Sequence, residues 1–574
     1  MRRAALAVFA ACLATAPAAA QPREAPAPSS AQPREAPASS SAQPRDQLTI
    51  GITQFPSTFH PAIENMAAKS YILGLARRPM TVYDADWQLT CMLCVRLPTI
   101  ENGDAVPETA PNGNPGIRVT YRIRDDATWG DGAPVTADDL VFSWTAGREP
   151  TTGMGPAEFY RSLHRIEVID ARTLTLHFDK LTFAYNAIND FHPLPARLEK
   201  PVWEADPRGY RTRTLYDRET TNPGLWNGPY RVTGVQAGAS VTLERNPAWR
   251  GAAPAFRRIV VRTIENTTAL EAALLAGQID MIGGELGLAL DQALALEKRA
   301  ANRFRFHYQP GLIYEHLDVN LDIPALQDVR VRRALSAAID RRQIVDRLFE
   351  GRQPVARSFV NPLDWMADES VTAPEFDLAL ARRLLDEAGW RPGPDGIRRN
   401  ATGERLSLEL MTTAGNRSRE LVQQVLQGMW RQAGIEVRIR NEPPRVFFGE
   451  TVSRRRFQGL ALFAWISSPE NVPRTILHSS EIPREETNWS GQNYTGFRNA
   501  EMDELIERIP LTLEKEERRP MWRRVQEIYT SELPVLPLFF RSDAHVWPRW
   551  LDGVRPTGHL APSTLWVEQW RATQ

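Results

Sequence analysis

The sequence predicts an α/β protein built from more than one folding unit, and three observations carry that expectation. Residues 121–144 read as strand, tight turn and helix. Val119, Tyr121 and Ile123 alternate with polar neighbours, Asp125-Asp126 and Gly130-Asp131-Gly132 interrupt the pattern, and Leu140, Val141 and Trp144 form an apolar helical stripe. Further on, strands over 406–412 and 435–440 flank a helix over 418–432. The length of 574 residues, at roughly 150 per unit, divides into about two to four units.

Composition narrows the function. Lys plus Arg and Asp plus Glu are both 69, so the formal net charge is zero. Such a surface has no electrostatic reason to seek nucleic acid or an anionic membrane, and Arg341-Arg342 and Arg454-Arg455-Arg456 read as solvated faces. A monomer is expected. Beyond residue 20 no apolar run approaches the ~18 residues that span a bilayer.

Taken in order, residues 1–20 combine Arg2-Arg3, an apolar run and Ala18-Ala19-Ala20 before Gln21. That is the pattern of a secretory signal peptide, so a periplasmic protein is expected. Phe9-Ala10-Ala11-Cys12 offers the alternative of lipid anchoring at Cys12. Residues 21–46 repeat Gln-Pro-Arg-Glu-Ala-Pro-like units from Gln21, Gln32 and Gln43, lack large apolar residues and read as an extended disordered spacer.

The folded part opens with a strand over 48–54. Past the leader only Cys91 and Cys94 remain. One C-x-x-C pair supplies too few ligands for a closed zinc site, and its strand-like flanks lack the helix N-terminus of a redox motif. In an oxidising compartment a local disulfide is expected, stabilising little because its loop is small. Thr136 stands at an N-cap position with Asp139 three residues on. Residues 165–179 read as a hairpin, with Ile166 and Val168 facing one way, a turn at Asp170-Ala171-Arg172, and a return through Leu174, Leu176 and Phe178. The helix ending at Gly277 leads into a strand. Asp328 caps one helix running to Gly351 through Val331, Leu335, Ala338, Ile339, Val345 and Leu348, and a helix over 377–388 stops at Gly389.

Catalytic patterns are missing from the sequence: there is no G-x-S-x-G, H-E-x-x-H, phosphate-cradling loop or dinucleotide fingerprint. The 9 His are scattered, and no pair has metal spacing on a helix face. Glu315-His316, an adjacent acid–His couple, reads as a strand-end surface pair. No catalytic residue, metal ligand or cofactor is expected.

The run from Trp129 through Ser143, WGDGAPVTADDLVFS, resembles the signature segment of family 5 extracellular solute-binding proteins, the peptide-type receptors of bacterial ABC importers. Blocks at 227–232, 241–247, 272–280, 316–351 and 533–541 follow in that family's order, so the resemblance runs from about Leu48 to the C-terminus. It implies a two-lobed α/β periplasmic-binding-protein fold of the large peptide-binding type, with an extra subdomain inserted in lobe I. Lobe I would comprise 47–64, 224–316 and 530–574, the insert 65–223, and lobe II 317–529. It further implies ligand-induced closure and delivery to permease subunits in the inner membrane.

In peptide-binding members of that family a Trp is followed, three positions later, by an Asp that pairs with the peptide's α-ammonium group. Here Trp465 is followed by Ser468 and then Pro469-Glu470-Asn471. A neutral hydroxyl cannot neutralise a buried ammonium, and Glu470 would replace the acid only from a shifted loop. Ligand contacts are expected at Trp465, Ser468 and Glu470, with Asn493, Tyr494, Phe55, Tyr314 and Asn320 as further cleft candidates. The expected ligand is an oligopeptide or similar small solute. A metal chelate, haem or an opine-like metabolite is the alternative within the receptor role, and an exported enzyme is the alternative outside it.

Overall fold

A computed structural model describes residues 45–573. The expected signal peptide, Cys12 and nearly all of the expected spacer lie outside the described residues. One 10-stranded sheet runs through the molecule. Its strands lie in the order 436–439, 407–411, 459–466, 304–319, 535–548, 281–282, 47–52, 258–263, 240–245 and 230–236.

Two of these strands hold the fold together. Phe304–Val319 and Val535–Pro548 are antiparallel partners, and each passes from one hydrophobic core into another. Phe304, Ala544 and Val546 pack with Leu270, Ile282 and Leu296. Leu317, Val319, Leu536 and Leu538 pack with Val331, Leu408, Leu426 and Trp430 instead. The register of this crossover pair breaks between Pro310, opposite Ser542, and Tyr314, opposite Phe540, where the first strand carries extra residues. The cores therefore change over near residues 311–313 and 541. Leu536, Leu538 and Phe539 pack with the second of these cores.

The inserted region has its own four-stranded sheet, ordered 105–109, 115–122, 173–178 and 163–168. Its interior is continuous with that of the first lobe: Tyr121, Trp129, Leu174 and Leu176 share a core with Leu48, Ile50, Tyr230 and Ile259. The helix Ala67–Ala76 packs against the C-terminal segment Ser563–Gln569. The Thr564 hydroxyl donates to the Tyr71 carbonyl at 2.6 Å, and a side chain at Gly74 would collide with Thr564. In the small hairpin 81–91, the sulfurs of Cys91 and Cys94 are bonded, with Cα atoms 5.2 Å apart.

Local chemistry explains the elements. Asp139, buried at the start of helix Ala137–Arg148, accepts from the Thr136 backbone N–H at 2.9 Å, the Trp129 indole at 3.0 Å and the Ala196 backbone N–H at 2.8 Å. It thus ties the helix start to the turn before it and to a distant segment. The hairpin forms at 163–178 with Leu174, Leu176 and Phe178 buried, but Val168, at the end of the edge strand, is exposed. The helix expected over 328–351 is two helices, Val329–Ala337 and Arg341–Phe349. Asp340 breaks it by accepting from the Gln343 N–H at 2.8 Å, so an N-cap replaces helix continuation. Gly277 and Gly389 follow their helices at φ +71° and +86°, a conformation that favours glycine.

Candidate functional site

The candidate site forms where strand Gly459–Ile466 lies against the first crossover strand. Antiparallel register sets Tyr314 opposite Trp465 and His316 opposite Phe463. Because side chains alternate along a strand, Tyr314, His316 and Asp318 share one face. Their rings continue into a column. Tyr314 and His316 stack at 5.0 Å and 19°, His316 and Trp465 at 6.4 Å and 11°, and Trp465 and Tyr494 at 5.7 Å and 27°. Phe463 meets the His316 ring edge-on at 4.6 Å. The Tyr314 and Tyr529 hydroxyls are 2.8 Å apart.

A small cavity opens beside this column, lined by Tyr314, His316, Asp318, Trp465, Gln492 and Tyr529, with Ile476 and Val535 completing it. The strand beside it has an edge free of strand pairing towards its end. Among the described residues, pairing with strand Ser407–Met411 ends at Met411 opposite Ala461, and beyond the Leu462 carbonyl, which accepts from the Thr412 hydroxyl at 2.8 Å, Gly459–Ile466 runs on with a strand partner on one side only. Ile466, at the tip, is 68 % exposed.

The opposite face of the crossover strand carries Glu315. The expected strand-end surface pair is not found, since Glu315 and His316 are both buried and point to opposite sides. Arg419 meets the Glu315 carboxylate through Nε at 3.0 Å and a terminal nitrogen at 3.1 Å, and Arg541 bonds it as well. Burial pushes the Glu315 carboxyl up, but Arg541 and Arg419 outweigh it and hold the group below its ordinary range.

The sequence candidates divide into two groups. Trp465, Tyr494 and Tyr314 meet in the aromatic column. Ser468 lies just past the strand end, half-buried, its carbonyl accepting from the Asn471 N–H at 3.2 Å. Phe55 is half-buried against the first-lobe core, edge-on to Phe59 at 6.1 Å, apart from the column.

Glu470 is held within the protein. Its carboxylate accepts from the Trp365 indole at 2.6 Å, the Tyr83 hydroxyl at 3.1 Å and the Arg518 guanidinium at 3.4 Å. Its backbone N–H donates to Asp364, whose carboxyl burial pushes up to about 6. Burial also raises the Tyr83 phenol, with Glu470 adding to the effect. The Asn320 amide donates to the carbonyls of Phe457 at 2.6 Å and Arg455 at 3.2 Å. The Asn493 amide donates to Phe497 and His478 carbonyls and accepts from Thr495 and the Phe497 N–H. Both asparagines are buried and brace loops. Their amide nitrogens are engaged with backbone carbonyls.

His316, Asp318, Gln492 and Tyr529 line the cavity without having been singled out for it. The alternation Tyr314, His316, Asp318 was available as a signal for the first two. Tyr529, on helix Lys515–Glu532, had none, because only packing brings it to the strand.

Among the described residues no group of three or more His, Cys, Asp or Glu is placed to hold a metal ion. No helix among them is long and apolar enough to cross a membrane.

Oligopeptide-binding protein OppA of Bacillus subtilis is 24 % identical over 88 % of this chain and 90 % of its own length. The oligopeptide-binding protein of Thermus thermophilus, solved with a pentapeptide, is 30 % identical with a TM-score of 0.64, covering 92 % of this chain and 96 % of its own. NikZ of Campylobacter jejuni, solved with Ni(L-His), shares the fold at 21 % identity and a TM-score of 0.65, covering 92 % of this chain and 100 % of its own. The model for the middle region of bacterial extracellular solute-binding proteins, family 5, matches residues 112–483. The chain therefore belongs to the family 5 bacterial extracellular solute-binding proteins.

Proposed function

We propose that this protein is the solute-capturing component of an ABC importer, exported to the periplasm, with an oligopeptide as its ligand. The observation that carries this reading is the free edge of strand Gly459–Ile466, ending in exposed Ile466 beside the aromatic column. An extended peptide gains main-chain hydrogen bonds by adding to such an edge, and adjacent pockets read its side chains. The names of the relatives above support a peptide as the occupant, and the family supports delivery to permease subunits.

In this reading Trp465, Tyr494, Tyr314 and Ser468 face the ligand, with Phe55 on the first lobe. Glu470, Asn320 and Asn493 hold the frame. The lobes swing about residues 311–313 and 541, where the crossover pair changes register. No bond is made or broken: a ligand touching both lobes favours closure by its higher affinity for the closed state.

Native mass spectrometry of the purified protein, followed by denaturing release, tests the assignment. A ladder of peptide masses is the expected result. One discrete non-peptide mass, such as a metal chelate or haem, would replace the peptide by that solute and keep the receptor role. Turnover of a bound compound would remove the receptor role.

A further inference from the structure

Away from the crossover strands, a second set of contacts ties the lobes together. On the first-lobe side stands the hairpin 81–91, which carries Tyr83. It is pinned to residues 555–559, a stretch between Leu551 and Val567 of the first core. The Trp87 indole donates to the Thr557 carbonyl at 2.8 Å, His559 Nε2 donates to the Asp84 carbonyl at 2.8 Å, and Arg555 pairs with Asp86 at 2.9 Å.

On the second-lobe side stands Glu470, in the loop after strand Gly459–Ile466. Neighbours from its own lobe fix it. The Trp365 indole and the Arg518 guanidinium both donate to its Oε1, and its backbone N–H donates to Asp364. Its φ of +55° lies in the left-handed region, which a residue with a side chain keeps only where its surroundings hold it there. The other oxygen, Oε2, accepts from the Tyr83 hydroxyl at 3.1 Å. Burial, with Glu470 adding to it, keeps the Tyr83 phenol protonated and therefore a donor. Phe183 crosses in the same direction. Its ring lies 4.1 Å from the Arg518 guanidinium and packs against the core of Met366, Trp522 and Val525, and its N–H donates to the Pro510 carbonyl at 2.9 Å. These bonds of Tyr83 and Phe183 are satisfied within the protein and need no solute.

We propose that Tyr83 and Phe183, seated on Glu470, Arg518 and Pro510, form a latch that holds the lobes together while the receptor is empty. When the lobes part, Glu470 keeps Trp365 and Arg518, which move with it, and loses Tyr83, while Arg518 loses the Phe183 ring. Each of these two side-chain contacts is worth about a factor of five in the ratio of closed to open molecules. The latch rests on the swing of the lobes about the crossover strands, whichever solute is bound.

The test is hydrogen exchange of the full-length protein, freed of co-purified solute by unfolding in urea and refolding, and read by mass spectrometry at the Phe183 amide. In the empty wild type this amide should be protected, because it exchanges only when the lobes part. Tyr83→Phe should speed its exchange about fivefold. Thr136→Ala, which weakens a helix cap away from the latch, should leave it unchanged. Small-angle X-ray scattering supplies a second reading: empty Tyr83→Phe/Phe183→Ala should have a larger radius of gyration than the empty wild type. An unprotected Phe183 amide in the empty wild type, the same exchange rate in Tyr83→Phe, or an equal acceleration in Thr136→Ala would each overturn the latch. So would identical scattering from the wild type and the double variant. Peptide capture by a protein whose Phe183 amide is unprotected would remove the latch and keep the receptor reading. A protected amide that responds to Tyr83→Phe in a protein that captures no solute would do the reverse.

Discussion

The Tyr83 hydroxyl donates to the Glu470 carboxylate at 3.1 Å, joining the inserted region of the first lobe to a loop of the second. The same carboxylate holds Arg518, whose guanidinium lies over the Phe183 ring at 4.1 Å, and the Phe183 N–H donates to the Pro510 carbonyl at 2.9 Å. Glu470 is thus the centre of an interlobe clasp.

Glu470→Gln should destabilise the protein by about 3 kcal/mol, because it leaves the buried Arg518 guanidinium without its anion. Tyr83→Phe removes one hydrogen bond and should cost only about 1 kcal/mol. Urea denaturation of both variants checks the order. Equal losses would mean that the Arg518 pair contributes nothing beyond the tyrosine bond.

Asp139→Ala should cost about 3 kcal/mol or more, since the Thr136, Trp129 and Ala196 N–H groups lose a shared buried acceptor. Thr136→Ala, at the N-cap itself, should cost about 1 kcal/mol. Thermal and denaturant melts distinguish a three-way tie from an ordinary cap.

Glu285 should contribute to a fall in stability with rising pH. Burial pushes the Glu285 carboxyl from its ordinary 4.5 up to about 7, with Asp543 adding to the shift, and Glu285 Oε2 is buried without a partner. Its folded value lies above its unfolded one. The stability it contributes is therefore fully present below the unfolded value and is lost as pH rises through about 7. Glu285→Gln should flatten this decline, reducing the loss between about pH 5 and about pH 8 by roughly 2–3 kcal/mol. Urea midpoints at both pH values measure it, and identical slopes for variant and wild type would exclude Glu285 as the cause.

Binding and framing residues should separate in a paired measurement. Trp465→Leu should weaken binding of the co-purified solute by about tenfold, through loss of an aromatic face, with little loss of stability. Asn493→Ala should instead destabilise by about 2–3 kcal/mol, because it leaves buried carbonyls without donors. Calorimetric titration beside denaturation assigns each residue. A binding loss confined to Asn493→Ala would reverse their roles.

The strands and helices were legible wherever one local signal sufficed. The alternation at Val119, Tyr121 and Ile123, the glycine stop at Gly277 and the helix before Gly389 all stand in the structure. The break at Asp340 was missed because apolar helical spacing continues across it, and only the aspartate's competing N-cap bond reveals two helices. In the site, Trp465 was legible from its family segment. The use of Glu470 was not, because its three partners Tyr83, Trp365 and Arg518 come from segments far apart in the chain.

By itself the sequence determined the α/β class and the order of its elements, since these depend on residue type, spacing and periodicity within short windows, and it pointed to the family through the resemblance of segments such as Trp129–Ser143. Tertiary structure alone decided which polar groups are satisfied within the protein. Asn320, Asn493 and Glu470 look like ligand residues in the chain, yet packing turns them to backbone carbonyls and buried donors. Glu315 and His316 look like a surface pair in the chain, yet alternation on a buried crossover strand sends them to opposite faces, with His316 beside a cavity. Hydrogen-bond satisfaction is a property of contacts between distant segments, and no local pattern encodes it.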